Sequence, residues 1–319
     1  MPNHGAFRMK HLLTLTAVGL SLGLSLAVQL PALAAGPDLS PEQAGRIRAE
    51  KVPEAIALIP KDYKFVTPGK LTVAHTAARL PFGTFATDNE TVIGSEPDLA
   101  QLVADSLGLE LESVGVAWAD WPLGIVSGKY DAVVSNVTVT EERKEKYDFS
   151  TYRRDDLGFW VANASDIKEI TQPEHVAGKK IIVGSGTNQE QVLLRWIEEN
   201  KAKGLPDTEV QYHDDDAVRE LTLQSGRADA YLGPNVLAAF EAQLKGTTRL
   251  VGNIPGGWPL TAEIAVVTRK DSGLADAVTA AVNAQIKNGN YQKYLARWNN
   301  TAEAISESRT NPPGLPKKN

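Results

Sequence analysis

A two-lobed α/β protein is the fold class this sequence predicts. Three observations carry it: the chain's length, a strand–helix–strand rhythm that starts near residue 70, and a segment that recurs further along. The chain has 319 residues, 42% of them hydrophobic and 23% charged, with a net charge of −6. That length suffices for two lobes, each burying its own core. Each lobe is expected to hold a mostly parallel sheet flanked by helices, with two hinge strands joining them. The mild acidity and the lack of a Lys/Arg stripe argue against a nucleic-acid partner, because phosphate binding needs concentrated positive charge.

The elements follow in order. Arg8, Lys10 and His11 precede the apolar stretch Leu12 to Leu30, and Ala32-Leu33-Ala34 offers small residues for cleavage, so residues 1–34 read as a secretory signal peptide. With no cysteine in the chain, there is no lipid-bearing thiol after the leader and no disulfide framework. The mature chain is therefore expected to be soluble and periplasmic. Residues 35–68 form an N-terminal extension with a short helix around Pro41 to Ile59. Lys70 to His75 reads as a strand, and a turn-rich loop follows through Pro81, Phe82 and Gly83. In Pro97 to Leu107 the residues Leu99, Leu102, Val103 and Leu107 share one helical face, and Gly108 is a stop. Leu109 to Val116 is the next strand, and parallel pairing makes the helix its crossover.

Ser127-Gly-Lys-Tyr-Asp-Ala-Val-Val134 then returns as Ser225-Gly-Arg-Ala-Asp-Ala-Tyr-Leu232. Each copy reads as a helix end feeding a strand, with Gly128 and Gly226 at the left-handed stop and Asp120 and Asp216 capping the preceding helices. Leu157 to Asn163 and Glu263 to Arg269 are the apolar, extended runs that would cross between lobes. The first lobe is thus set at residues 69–160 and 265–300, the second at 161–264, and a tail at 301–319.

Several motifs now stand in a fixed order: Pro97-Asp-Leu-Ala100, Ser127 to Ala132, Thr140-Glu-Glu-Arg143, Asp148-Phe-Ser150, Val183 to Gln189, Ser225 to Ala230 and Trp298. In that order and at those spacings the chain resembles the extracellular solute-binding proteins of family 3, the periplasmic receptors of polar amino-acid ABC importers, over about residues 70 to 298. The resemblance implies the type II periplasmic binding protein fold. It also implies a small-molecule ligand, an inner-membrane ABC permease as partner, a monomer, and hinge closure on the ligand. No metal and no cofactor is expected.

Strand ends of an open α/β sheet deliver their residues to the crevice where ligands sit, which places Ser135, Asn136 and Thr138 there. Arg143 follows, and its planar guanidinium holds a carboxylate by two parallel hydrogen bonds, which lysine cannot do. By resemblance Arg143 is the family's carboxylate clamp, with Thr138 a donor beside it. In the opposite lobe Gly184 to Gln189 forms a turn whose free amides point toward an anion, and the resemblance makes Thr187 and Asn188 its donors. Trp118 matches a position that packs an apolar ligand face, and equally suits a core. His213-Asp-Asp-Asp216 looks like a metal cluster, but a strand end feeding a helix cap explains it. Trp258 reads as a loop anchor or as a border of the cleft, and Glu263 faces either the cleft or the hinge.

The chain departs from the family where a free α-ammonium is held. Those positions read Gly233-Pro-Asn235, Thr76 and Arg79, none of them an anion. The expected ligand is therefore a small carboxylate whose amine is absent, modified or distant, with Arg79 on a second acidic group. Otherwise Asp88, Glu90 or Glu263 supplies the missing charge. An enzyme on the same fold, resembling the periplasmic cyclohexadienyl dehydratases, is the alternative, with Asp156 and Glu263 as its acid–base candidates.

Overall fold

The structure is a computed structural model that describes residues 36–213 and 215–317, so the leader reading lies outside the described residues. Residues from Asp38 onward form one compact unit. It opens with a one-turn helix, α1 (Pro53–Ile56). This is the short helix expected around Pro41 to Ile59, and it stays one turn long while the segment before it finds partners elsewhere: Arg46 pairs with Asp98 at 2.7 Å and Arg48 with Asp105 at 2.7 Å. The first lobe continues with β1 (Lys70–Thr76), a small ribbon of β2 (Thr84–Phe85) and β3 (Val92–Ile93), then α2 (Ser95–Leu107), β4 (Glu110–Val116), α3 (Trp121–Val126) and β5 (Ala132–Thr138). After α4 (Glu141–Lys144), the long β6 (Tyr147–Ala162) leads into the second lobe. That lobe holds β7 (Lys180–Val183), α5 (Asn188–Ala202), β8 (Glu209–Tyr212), α6 (Asp216–Gln224), β9 (Ala230–Pro234), α7 (Asn235–Lys245) and β10 (Thr248–Pro255). The chain returns through β11 (Ala262–Arg269), α8 (Leu274–Asn288) and α9 (Asn290–Arg297). Among the described residues no helix is long and apolar enough to cross a membrane.

The recurring segment has a structural cause. In the first lobe β1 lies between β4 and β5, parallel to both, and in the second β7 lies between β8 and β9, parallel to both. Each copy joins the second crossover helix to the strand that closes this arrangement. Gly128 and Gly226 both take left-handed backbone, φ 75° and 69°. The following aspartates do the same work: Asp131 accepts from Thr72 N–H at 3.0 Å and Asp229 from Lys180 N–H at 2.7 Å, each fixing the neighbouring central strand. The capping expectation needs one correction. Asp215, not Asp216, is the N-cap of α6, its carboxylate accepting from Val218 N–H at 2.8 Å. Asp216 therefore starts the helix with its side chain free for other partners.

β6 belongs to both lobes. Tyr147 to Asp155 pair with β11 in the first lobe, whereas Asp156 to Ala162 pair with β10 and Leu157 to Trp160 with β9 in the second. The exchange of partners between Asp155 and Asp156 marks the first crossing, and residues 256–261 between β10 and β11 form the other. Separate cores flank it, with Leu99, Val103, Val278 and Leu295 in one and Leu157, Phe159, Leu193 and Trp196 in the other. Trp298 fastens the returning chain to α2 through its indole N–H, which donates to Asp98 at 2.8 Å.

Candidate functional site

β1, β5 and β7 end on a cavity of about 1040 Å³ between the lobes. This is the crevice where the strand order turns back on itself, the usual ligand position in open α/β sheets. Thr76, Arg79, Trp118, Ser135, Asn136 and Arg143 reach it from the first lobe, Thr187 and Asn188 from the second. Thr138 and Asn235 do not line it, which corrects both expectations.

Arg143 stands on α4, whose cap is Thr140: the hydroxyl accepts from Arg143 N–H at 3.1 Å. Its guanidinium donates to the Thr138 carbonyl at 2.9 Å and, across the cleft, to the Gly186 carbonyl at 3.4 Å. It lies 5.8 Å from the centre of the Trp118 ring and 6.0 Å from that of Trp121. Burial pushes its pKa down from the ordinary arginine value. Among the described residues it has no salt-bridged carboxylate. A desolvated cation without a counter-anion is poised to receive one.

Around it the hydroxyls are arranged by local backbone. Ser135 donates to the Thr76 hydroxyl at 2.6 Å and accepts from Thr76 N–H at 3.0 Å, so the two act as a pair at the ends of β5 and β1. Asn136 has φ 50°, left-handed for a non-glycine residue, and its side-chain oxygen accepts from Arg153. That kink breaks the alternation of β5, which places Ser135 and Asn136 together on the cavity. It also turns Thr138 inward, where its hydroxyl donates to Asp155 at 3.0 Å.

In the second lobe Thr187 caps α5, accepting from Glu190 N–H at 3.2 Å and donating to the Gly184 carbonyl at 2.7 Å. Asn188 donates to Asp155 at 2.6 Å and to the Gly256 carbonyl at 2.7 Å, which ties the cavity wall to both crossings. Asp155 is fully enclosed there, and burial raises its pKa. Asn235 misses the cavity because Pro234 occupies the lining instead, and its side-chain oxygen is buried without a protein partner.

Arg79 reaches across the cleft rather than into it. It donates to Asp216 at 2.5 Å and to the Tyr231 hydroxyl at 3.2 Å, with Glu241 at 3.9 Å. Arg219 joins the cluster, bonding Asp216 at 2.5 Å and Glu241 at 2.7 Å while lying over the Tyr231 ring. The sequence pattern marks Asp216 as a helix cap and does not single out Tyr231, Arg219 or Glu241. Nothing in their local pattern signals the cleft. Glu96, also on the cavity, bonds Tyr152 and lies 3.5 Å from Arg153. Asp88 is spent on Thr91, and Glu263 on Arg309 at 2.7 Å. Neither they, Glu90 nor Asp156 lines the cavity. Trp258 anchors its loop edge-on to Trp196, 5.1 Å away.

Two α/β lobes hinged on shared strands, with a cavity between them lined by aromatic and polar side chains, define the class of two-lobed solute-binding proteins. The chain belongs to the bacterial extracellular solute-binding proteins, family 3, whose profile matches residues 71–301. The L-cystine-binding protein TcyJ of Escherichia coli (strain K12) is 31% identical over 72% of this chain and 82% of that protein. An ancestral arginine-binding protein, solved bound to arginine, is similar with a TM-score of 0.62 and 28% identity, covering 72% of this chain and 98% of that one. The ancestral amino acid-binding protein AncCDT-1, a precursor of cyclohexadienyl dehydratase, matches with a TM-score of 0.60 and 26% identity over 72% of this chain and 95% of that one.

Proposed function

We propose that this chain captures a small carboxylate-bearing solute in the periplasm and delivers it to an inner-membrane ABC permease. The observation that carries the reading is Arg143: a half-buried guanidinium on the cavity, flanked by two indoles, with no salt-bridged carboxylate among the described residues. A ligand carboxylate completes it. Thr187 and the amides of the turn before α5 meet the same group from the second lobe.

The solute's amine is absent, modified or distant from that carboxylate. Two cavity carboxylates, Glu96 and Asp216, are already committed to arginines. Glu142, at the cavity's edge, is exposed, where water screens its charge. An ammonium buried without a paired anion is costly. The relatives' cystine and arginine would share the carboxylate end of this site and, among the described residues, meet no uncommitted buried carboxylate for the amine. Chemistry has less support than capture, since the acid–base candidates Asp156 and Glu263 lie off the cavity.

Thermal-shift screening separates these readings. Dicarboxylates, sulfonates and acylated amino acids, run beside the twenty standard amino acids, should give the larger shifts. Micromolar binding of a plain α-amino acid, about 8 kcal/mol of free energy, would overturn the statement about the amine.

A further inference from the structure

The segment after α9 continues past the matched family region and runs along the back of the hinge. Thr310 bridges Ser150 antiparallel, Thr151 N–H donates to the Arg309 carbonyl at 3.1 Å, and the Ser308 hydroxyl donates to the Thr151 carbonyl at 2.6 Å. On the neighbouring strand, Arg309 pairs with Glu263 at 2.7 Å. Pro312-Pro313-Gly314-Leu315-Pro316 then stiffens the approach to α4. Leu315 N–H donates to the Val139 carbonyl at 3.0 Å, and Glu141 N–H donates to the Leu315 carbonyl at 2.8 Å. Gly314 N–H reaches the Glu141 carboxylate at 2.6 Å. Gly314 lies so close that a Cβ there would stand 2.7 Å from the Thr140 carbonyl carbon and 2.9 Å from Glu141 N. The Leu315 side chain, buried, lies against Gly257 in the second crossing.

These contacts converge on Thr140 and Glu141, the cap and first residue of the helix that carries Arg143. A helix of 4 residues cannot hold itself in place, because nucleation outweighs so few internal bonds. We propose that residues 308–315 are a strap whose Gly314 and Leu315 position the Arg143 helix for its ligand and tie it to the hinge. The proposal rests on the reading of Arg143 as the clamp, and Gly314 and Leu315 are positioning residues that touch no ligand.

The test needs no ligand. In the full chain, Leu315→Asp drives the strap's end toward water and Gly314→Val collides with the Thr140 backbone, whereas Leu315→Met keeps the contact. Hydrogen exchange in the peptide spanning residues 139–147 should accelerate about tenfold or more in the first two variants. Labelling of Arg143 by p-hydroxyphenylglyoxal should rise with it. Protection of α5 should stay unchanged, and Leu315→Met should match the parent. Unchanged exchange and labelling in both disruptive variants would overturn the strap. Equal loss of protection across both lobes would overturn it too, because the segment would then serve the whole fold rather than one helix. Since no ligand enters these measurements, a failure of the carboxylate reading leaves their outcome standing.

Discussion

Arg143 concentrates the consequences that belong to single side chains. Replacing it with alanine removes a cavity guanidinium that, among the described residues, has no salt-bridged carboxylate, so calorimetry with any carboxylate ligand found by screening should register a loss of about 2 to 5 kcal/mol. The fold should lose only about 1 kcal/mol, the worth of the bond to the Thr138 carbonyl. Unaltered affinity would remove Arg143 from the site. Its place on the cavity was legible through the motifs that carry the family resemblance, helped by a capped turn directly after a strand end; taken alone it reads as one charge in the run Glu141 to Lys146. Thr138 was misplaced because the left-handed Asn136 interrupts the alternation that places residues on a strand's faces. Asp216 was misread for a similar reason. Among adjacent aspartates, a start one residue later decides which one caps and which one meets Arg79 and Arg219.

At the scale of elements, the recurring Ser-Gly-x-x-Asp segment was readable because its parts act locally: a left-handed glycine ends a helix and an aspartate pins the next strand. What the sequence did not carry is the unequal burial of the two copies. Asp131 is fully buried and accepts from Tyr63, Val66 N–H and Thr72 N–H at 3.1, 3.1 and 3.0 Å. Asp229 is partly exposed and accepts from Lys180 N–H at 2.7 Å. Asp131→Ala strands buried donors and should destabilise the protein by about 3 kcal/mol or more, against about 1 kcal/mol for Asp229→Ala. Urea titrations of the two variants check this, and equal losses would mean that the N-terminal extension, which supplies Tyr63 and Val66, adds nothing to the pin. The charge cluster of Arg79, Asp216, Arg219 and Glu241 was illegible for the complementary reason: its members come from a first-lobe loop and two second-lobe helices, brought together only by the packing of the lobes.

For the whole molecule, the hinge is held from behind by a buried pair, Arg153 on β6 with Glu303 beyond α9. Burial drives the Glu303 pKa up from 4.5 to about 7 against the pull of Arg153. The folded protein therefore binds this proton more tightly than the unfolded chain does. The resulting contribution to stability is fully present below pH 4.5 and is lost as the pH rises through about 7. Glu303→Gln keeps an acceptor for Arg153 and removes the titration, so melting curves between pH 4 and 8, about the window set by those pKa values, should slope less than those of the parent. Identical slopes would assign the pH dependence elsewhere. Ligand should also draw the lobes together, and small-angle scattering that finds the same radius with and without a tightly bound compound would count against hinge closure. The path of the chain has one more result. The second lobe's strands, from Leu157 on β6 to Pro255 on β10, form an unbroken stretch, while the first lobe's sheet needs β11 between β5 and β6 before it is complete. A chain that emerges from its N-terminus therefore presents all of the second lobe before the first can close. The second lobe should acquire exchange protection first on refolding, and until β11 arrives β5 keeps an unpaired edge on which other strands can add.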